Sequence, residues 1–108
     1  MRMWNIKPSL LCNRHLLGEH LETHMFLGAI RKGKSLKGYI DNGLVETDKI
    51  KSRHDLLADE MINRGMNHKS PMEHFKVIKQ GKVDTNRSIN DLINRCSKCR
   101  ERINKYGI

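Results

Sequence analysis

The feature that most constrains this chain is a helical stripe between residues 50 and 62. Ile50, His54, Leu57, Ala58, Met61 and Ile62 recur three and four residues apart. That spacing lines one face of an α-helix and would scatter over both faces of a strand. Thr47 or Asp48 stands where an N-cap is expected, and Gly65 where a left-handed residue ends a helix. A second helix is predicted from about Ser9 to Arg31, with Pro8 stiffening its start, Ser9 as cap, and irregularity near Gly18 and Gly28. In it Leu10, Leu17, Leu21 and Gly28 share one face, and Leu16, Leu27 and Ile30 another. A helix apolar on most sides runs through the middle of a fold. A third helix is predicted from about Asn86 to Lys105, with Ile89, Leu92, Ile93, Cys96, Cys99 and Ile103 on one face.

The connections are long. Lys32 to Glu46 is basic, and its Asn42-Gly43 pair is a turn signal suited to a short hairpin, too brief to carry a sheet. Asn67 to Lys82, with Pro71 and Gly81, reads as irregular. A length of 108 residues sustains one domain with one modest core. The expected fold is therefore all-α: a single domain over 1–108, with three main helices and long irregular connections.

Twenty-one Lys and Arg against twelve Asp and Glu leave a formal charge of +9. Such an excess on so short a chain suits a polyanion, with phosphates the commonest case, and a monomer bound to nucleic acid is the expectation, the plain alternative being a solvated basic surface. No apolar run approaches the ~20 residues of a membrane span. The start, Met1-Arg2-Met3-Trp4-Asn5, has no apolar signal core, so a cytoplasmic location is expected, in a bacterium or a phage-infected host. Three cysteines, an odd number, point to reduced thiols or metal ligands rather than disulfides.

Three constellations carry chemistry. His15, Glu19 and Glu22 are spaced i, i+4, i+7 on the first helix and share a strip roughly 60° wide. Two carboxylates on a central helix are costly if buried unpaired, so they are solvated, matched by arginines, or used; the plain alternative is an ordinary polar edge. His20 and His24, also i, i+4, lie on another side. They are either a metal-binding pair or satisfied core histidines, and His54 in its apolar stripe is read the same way. Cys12-x-x-His15 and Cys96-x-x-Cys99 together are a zinc-type ligand set. Zinc there would staple the first helix to the last and withdraw His15 from catalysis. The competing reading is core thiols, since a free cysteine behaves as a small hydrophobe.

The run Arg14-His15-Leu16-Leu17-Gly18-Glu19-His20-Leu21-Glu22, followed by Phe26 and Gly28-Ala29-Ile30-Arg31-Lys32, resembles the start of the pyrimidine-dimer DNA glycosylases of the phage endonuclease V type. A second block is similar as well: Leu57, Glu60 and Arg64-Gly65-Met66-Asn67 within 53–67. The resemblance implies a compact helical fold and a DNA glycosylase with AP lyase activity that needs no cofactor. It implies an N-terminal amine as nucleophile, here on Met1, with Glu22 and His15 as its catalytic companions. Arg2 is too bulky for methionine trimming, so Met1 is expected to keep its amine. α-Amines titrate near 7.7–8.0, which leaves a neutral, nucleophilic fraction near pH 7. Arg2, Arg14, Arg31, Lys32, Arg53 and Arg64 are the expected phosphate or lesion contacts.

The chain departs from that family in two places. The family's arginines beside the glutamate are replaced by Leu21 and Met25, and its aromatic tail by Lys105-Tyr106-Gly107-Ile108. Pyrimidine dimers, other damaged or modified bases, and abasic sites all stay open as substrates. The alternative function is a zinc-stapled DNA-binding module without chemistry.

Overall fold

Helical spacing predicts an all-α chain, and the fold is all-α. The computed structural model describes residues 1–107. Among them the regular structure is α1 (Asn13–Arg31), α2 (Lys37–Asp41), α3 (Ile50–Asn63), α4 (Thr85–Arg95) and α5 (Ser97–Tyr106), with 3-10 turns at Pro8–Leu10 and Thr47–Lys49. Among the described residues no helix is long and apolar enough to cross a membrane.

α1 differs from expectation at its start. Pro8 opens only a single turn, and the extended Cys12 (φ −68°, ψ 165°) separates that turn from α1. Gly18 and Gly28 do not interrupt the helix. Leu16, Phe26 and Leu27 carry its packing, whereas Leu17, Leu21 and Met25 are exposed. In α3, Ile50, His54, Leu57, Ala58 and Met61 are buried as the stripe predicts, and Ile62 is exposed. Gly65 takes φ +80° and ends the helix, and the Met66 N–H returns to the Met61 carbonyl at 2.9 Å.

Thr47 does not cap α3. Its hydroxyl donates to the Ile78 carbonyl at 2.6 Å and accepts from the Gln80 N–H at 2.8 Å, which straps the 67–82 connection to the start of α3. Gly81 completes the strap. It has φ +83°, and a Cβ there would lie 2.2 Å from the Val45 carbonyl oxygen. The expected hairpin is instead α2, closed by Gly43 at φ +68°.

The expected third helix is two helices. Cys96 is extended (φ −136°, ψ 109°) and ends α4, while its sulfur accepts the Cys99 N–H at 3.4 Å and caps α5. The apolar stripe survives the break: Leu92, Cys99 and Ile103 are buried, with Ile89, Ile93 and Cys96 packed against them.

Two apolar clusters hold these elements together. Trp4, Leu10, Leu11, Leu16, Leu57 and Leu92 belong to one, and Met3, Phe26, Val45, Ile50, Met72 and Val83 to the other. Adjacent residues near the N-terminus thus enter different clusters. Each such burial stabilises by about 1.5–3 kcal/mol, and the Met3 N–H also donates to the Leu44 carbonyl at 2.7 Å. The terminal segment is therefore pinned across α1.

Candidate active site

Pinning Met3 and Trp4 brings the terminal amine onto α1. An open pocket is lined by Met1, Arg2, Trp4, Arg14, His15, Gly18, Glu19 and Glu22. The Met1 nitrogen stands 4.0 Å from Glu22 Oε1. Gly18, one turn before Glu22, has open space where a side chain would project, so it keeps the floor clear. Burial raises the pKa of Glu22 above the ordinary carboxylate range. The terminal amine and the Arg2 N–H pull it back, and Glu19 adds to the rise.

Glu19 has a different environment. It is buried and forms a bidentate pair with Arg53, from Nε to Oε2 at 2.6 Å and from Nη2 to Oε1 at 2.8 Å. Arg53 is 3% exposed, and its Nη1 donates to the Ile6 carbonyl at 2.5 Å. The pair ties α1, α3 and the terminal segment together. Arg53, expected on DNA, is thus corrected to an internal clamp, because all three guanidinium nitrogens are used inside the protein.

Arg64 is corrected in the same way. It donates to Glu60 Oε2 at 2.7 Å, to the Leu11 carbonyl at 2.7 Å and to Asn13 Oδ1 at 2.9 Å, which fixes the Pro8–Leu10 turn against the end of α3. Arg2 is half-buried. It pairs with Asp91 of α4 at 3.0 Å and stacks 3.8 Å over Trp4. Arg14, Arg31 and Lys32 are exposed.

His15 borders a second arrangement. Its Nδ1 lies 3.2 Å from Cys12 Sγ and 3.4 Å from Cys99 Sγ, and Cys12 Sγ lies 3.8 Å from Cys96 Sγ. A tetrahedral zinc with Zn–S ≈ 2.3 Å and Zn–N ≈ 2.0–2.1 Å has edges of about 3.8 Å (S···S) and about 3.5 Å (S···N). These three distances are close to those edges, and all four ligand atoms lie within 4.8 Å of one another. Cys12 and Cys99 N–H groups donate to the sulfurs of Cys99 and Cys96 at 3.3 and 3.4 Å, the outer hydrogen bonding that thiolate ligands favour.

The pKa values of the Cys96 and Cys99 sulfurs shift in opposite directions. Burial opposes ionisation of Cys96, but hydrogen bonds from Cys99, Cys12 and Lys98 outweigh it and lower its pKa. Burial pushes the Cys99 thiol up to about 12. These residues can hold a metal ion. Burial and neighbouring Arg14 lower the His15 pKa, so its ring is neutral and a competent ligand near pH 7.

The remaining histidine candidates also converge. His20 and His24 of α1 and His54 of α3 meet His68 of the 67–82 connection, with ring centroids 4.8 to 5.1 Å apart around His20. Burial, then His54, His24 and His68, lowers the pKa of His20 to about 4. Periodicity missed His68 because it lies in irregular backbone; the one sequence signal for it was a total of six histidines in so short a chain.

A family model described as pyrimidine dimer DNA glycosylase matches residues 1–74 of the 108. The chain belongs to the pyrimidine dimer DNA glycosylase family. No curated protein and no solved structure matches it. Every residue lining the Met1–Glu22 pocket lies inside the stretch matched to the glycosylase family. Cys12 and His15 lie inside it too, whereas Cys96 and Cys99 lie beyond it, on the α4–α5 pair.

Proposed function

We propose that this chain is a DNA glycosylase with AP lyase activity, acting on pyrimidine dimers or another damaged or modified base in double-stranded DNA. The observation that carries the reading is the Met1 nitrogen 4.0 Å from Glu22 Oε1 in one open pocket. The neutral amine gives its electron pair to the sugar C1′. The glycosidic C1′–N bond breaks, and the base leaves with the electron pair of that bond and takes up a proton. The C1′–O4′ bond then opens, leaving a protonated imine between Met1 and C1′ and a hydroxyl at C4′. Loss of a C2′ proton expels the 3′ phosphate by β-elimination, and water hydrolyses the imine. Glu22 stabilises the positive charge that develops on the sugar and carries the protons. Burial favours its protonated form more than usual, which suits a group that must both give and take a proton.

Arg14, Arg31 and Lys32 are the phosphate contacts in this reading, because their charges are exposed. Arg2 stays at the pocket wall, where its pairing with Asp91 positions the terminal segment.

Cys12, His15, Cys96 and Cys99 are assigned to a structural zinc centre on their tetrahedral spacing. Bound there, zinc supplies a cross-link between the start of α1 and α5, which a core this small uses well. Ligation through Nδ1 leaves the other ring nitrogen of His15 protonated. His15 is then a fixed donor beside the pocket, not a base, so the centre and the chemistry are compatible.

Borohydride reduction in the presence of duplex DNA carrying a cyclobutane dimer or an abasic site tests the enzyme. A covalent adduct is expected, mapped by mass spectrometry to Met1 and lost both in Glu22→Gln and on acetylation of the amine. Tight duplex binding with no adduct on either lesion would leave the zinc-stapled binding module as the function.

A further inference from the structure

Ring nitrogens of His20, His54 and His68 converge in the second cluster, and not every acceptor they face can be served by a proton. His20 Nε2 and His68 Nε2 face each other at 3.0 Å, so one ring donates its N–H and the lone pair of the other accepts it. His54 is 1% exposed and has an oxygen at each ring nitrogen: Asp55 Oδ1 2.8 Å from Nδ1 and the Ser70 carbonyl 2.9 Å from Nε2. A neutral imidazole carries one N–H, so only one of those acceptors is served. His24 Nε2 is buried and makes no hydrogen bond of normal geometry. A buried polar atom left unserved is costly, and a ring nitrogen of His54 lies within 4.8 Å of ring nitrogens of His20 and His68.

We propose that His20, His54 and His68 form a second metal site, taking a borderline divalent transition ion of the zinc, cobalt or nickel class through imidazole nitrogen alone. One ligand atom from each residue already lies within 4.8 Å of the others. Metal–nitrogen bonds of about 2.0–2.1 Å set tetrahedral N···N edges near 3.3 Å, so small ring rotations close the site. The choice of metal follows from the donors: imidazole suits these ions, whereas magnesium and calcium prefer carboxylate and carbonyl oxygen.

The outer shell is also present. When His54 ligates through Nε2, its Nδ1–H stays on Asp55, the carboxylate–histidine arrangement that orients metal ligands. The ligands come from α1, α3 and the irregular connection, so the ion would fasten residues 67–82 to the helix pair, at the opposite end of that segment from the Thr47 and Gly81 strap. The site shares no residue with the cysteine cluster and stands whether or not the chain is an enzyme.

The test uses the full chain, stripped with a chelator and titrated with Co²⁺ by equilibrium dialysis with visible spectra. His68→Gln is the informative variant, because His68 is half-buried on irregular backbone rather than in a helix. The variant is expected to bind one equivalent less than the parent. The loss falls in the d–d bands, and the near-ultraviolet thiolate-to-cobalt charge-transfer band of the cysteine site is unaffected. Equal stoichiometry and superimposable spectra for the two proteins would overturn the proposal. Long-range ¹H–¹⁵N imidazole spectra of the parent need no variant: Zn²⁺ is expected to shift the ring nitrogens of His20, His54 and His68, and unmoved resonances at saturating zinc would overturn it equally.

Discussion

Glu19 and Glu22 stand one turn apart on the same helix and have opposite roles because of what faces them. Glu19 meets the Arg53 guanidinium in the interior, whereas Glu22 meets the Met1 amine at the edge of a pocket. Removing one partner of a buried pair leaves an uncompensated charge, which costs about 3–5 kcal/mol, while replacing both by apolar groups of similar volume costs far less. Glu19→Gln and Arg53→Met are therefore each expected to lose stability on that scale in urea denaturation. The double change Glu19→Met with Arg53→Met is expected to be the more stable protein. Single variants within about 0.5 kcal/mol of the parent would mean that the pair is not a clamp. The His15, Glu19, Glu22 strip was legible from spacing. Its division into a clamp and a pocket carboxylate was not, since Arg53 lies 34 positions away in sequence.

At the scale of elements, α1 presents an unusual outer edge. Leu17, Leu21 and Met25 recur every fourth residue and are exposed, Leu21 at 60%. An apolar row beside Glu22 offers no charge to a phosphate. Leu21→Arg with Met25→Arg is expected to strengthen duplex binding, and the slope of log K against log salt should steepen by about 0.9 for each new phosphate contact. An unchanged slope would place DNA on another face.

The α4–α5 break is an element-scale finding as well. Helical spacing runs straight through Cys96, and Cys96 and Cys99 lie on the apolar stripe in either case. Only its extended backbone, with its sulfur on the Cys99 N–H, shows that residue 96 is a corner. Cys96→Ser is expected to weaken thiolate-to-metal charge transfer on Co²⁺ addition, leaving the contribution of Cys12 and Cys99, while helical circular dichroism is largely kept. Retention of the full band would remove Cys96 from the ligand set.

For the molecule as a whole, +9 on 108 residues predicts a partner rich in phosphate. Several of those charges are already committed internally. With Arg53 and Arg64 withdrawn, Arg14, Arg31 and Lys32 are the three expected contacts still exposed. Three phosphate contacts give a salt slope of roughly −3 for duplex DNA. A slope near zero would count against nucleic acid altogether.

Chelator treatment is expected to lower the melting temperature markedly, since in the proposed reading zinc joins the start of α1 to α5 within the apolar cluster that Cys12 and Cys99 both enter. A melting curve indifferent to both chelator and added zinc would leave the cysteines as core thiols.

Charge, helical period and residue type are local quantities, and the sequence carries them openly. They determined the all-α class, the α3 stripe closed by Gly65 and the roster of reactive side chains, and they carry the expectation of a polyanion partner, with the family resemblance adding the proposed roles of Met1 and Glu22. What they do not encode is which side chains meet across tens of residues of chain. Packing alone decided that Met3 and Trp4 enter two different clusters and so hold the amine over Glu22. It also decided that Arg53 and Arg64 face inward and that Cys12 and His15 reach Cys96 and Cys99. The same packing carries His68, on a segment without period, to three helical histidines. In each case the deciding term is the burial and pairing of groups distant in sequence, which exists only once the helices have docked.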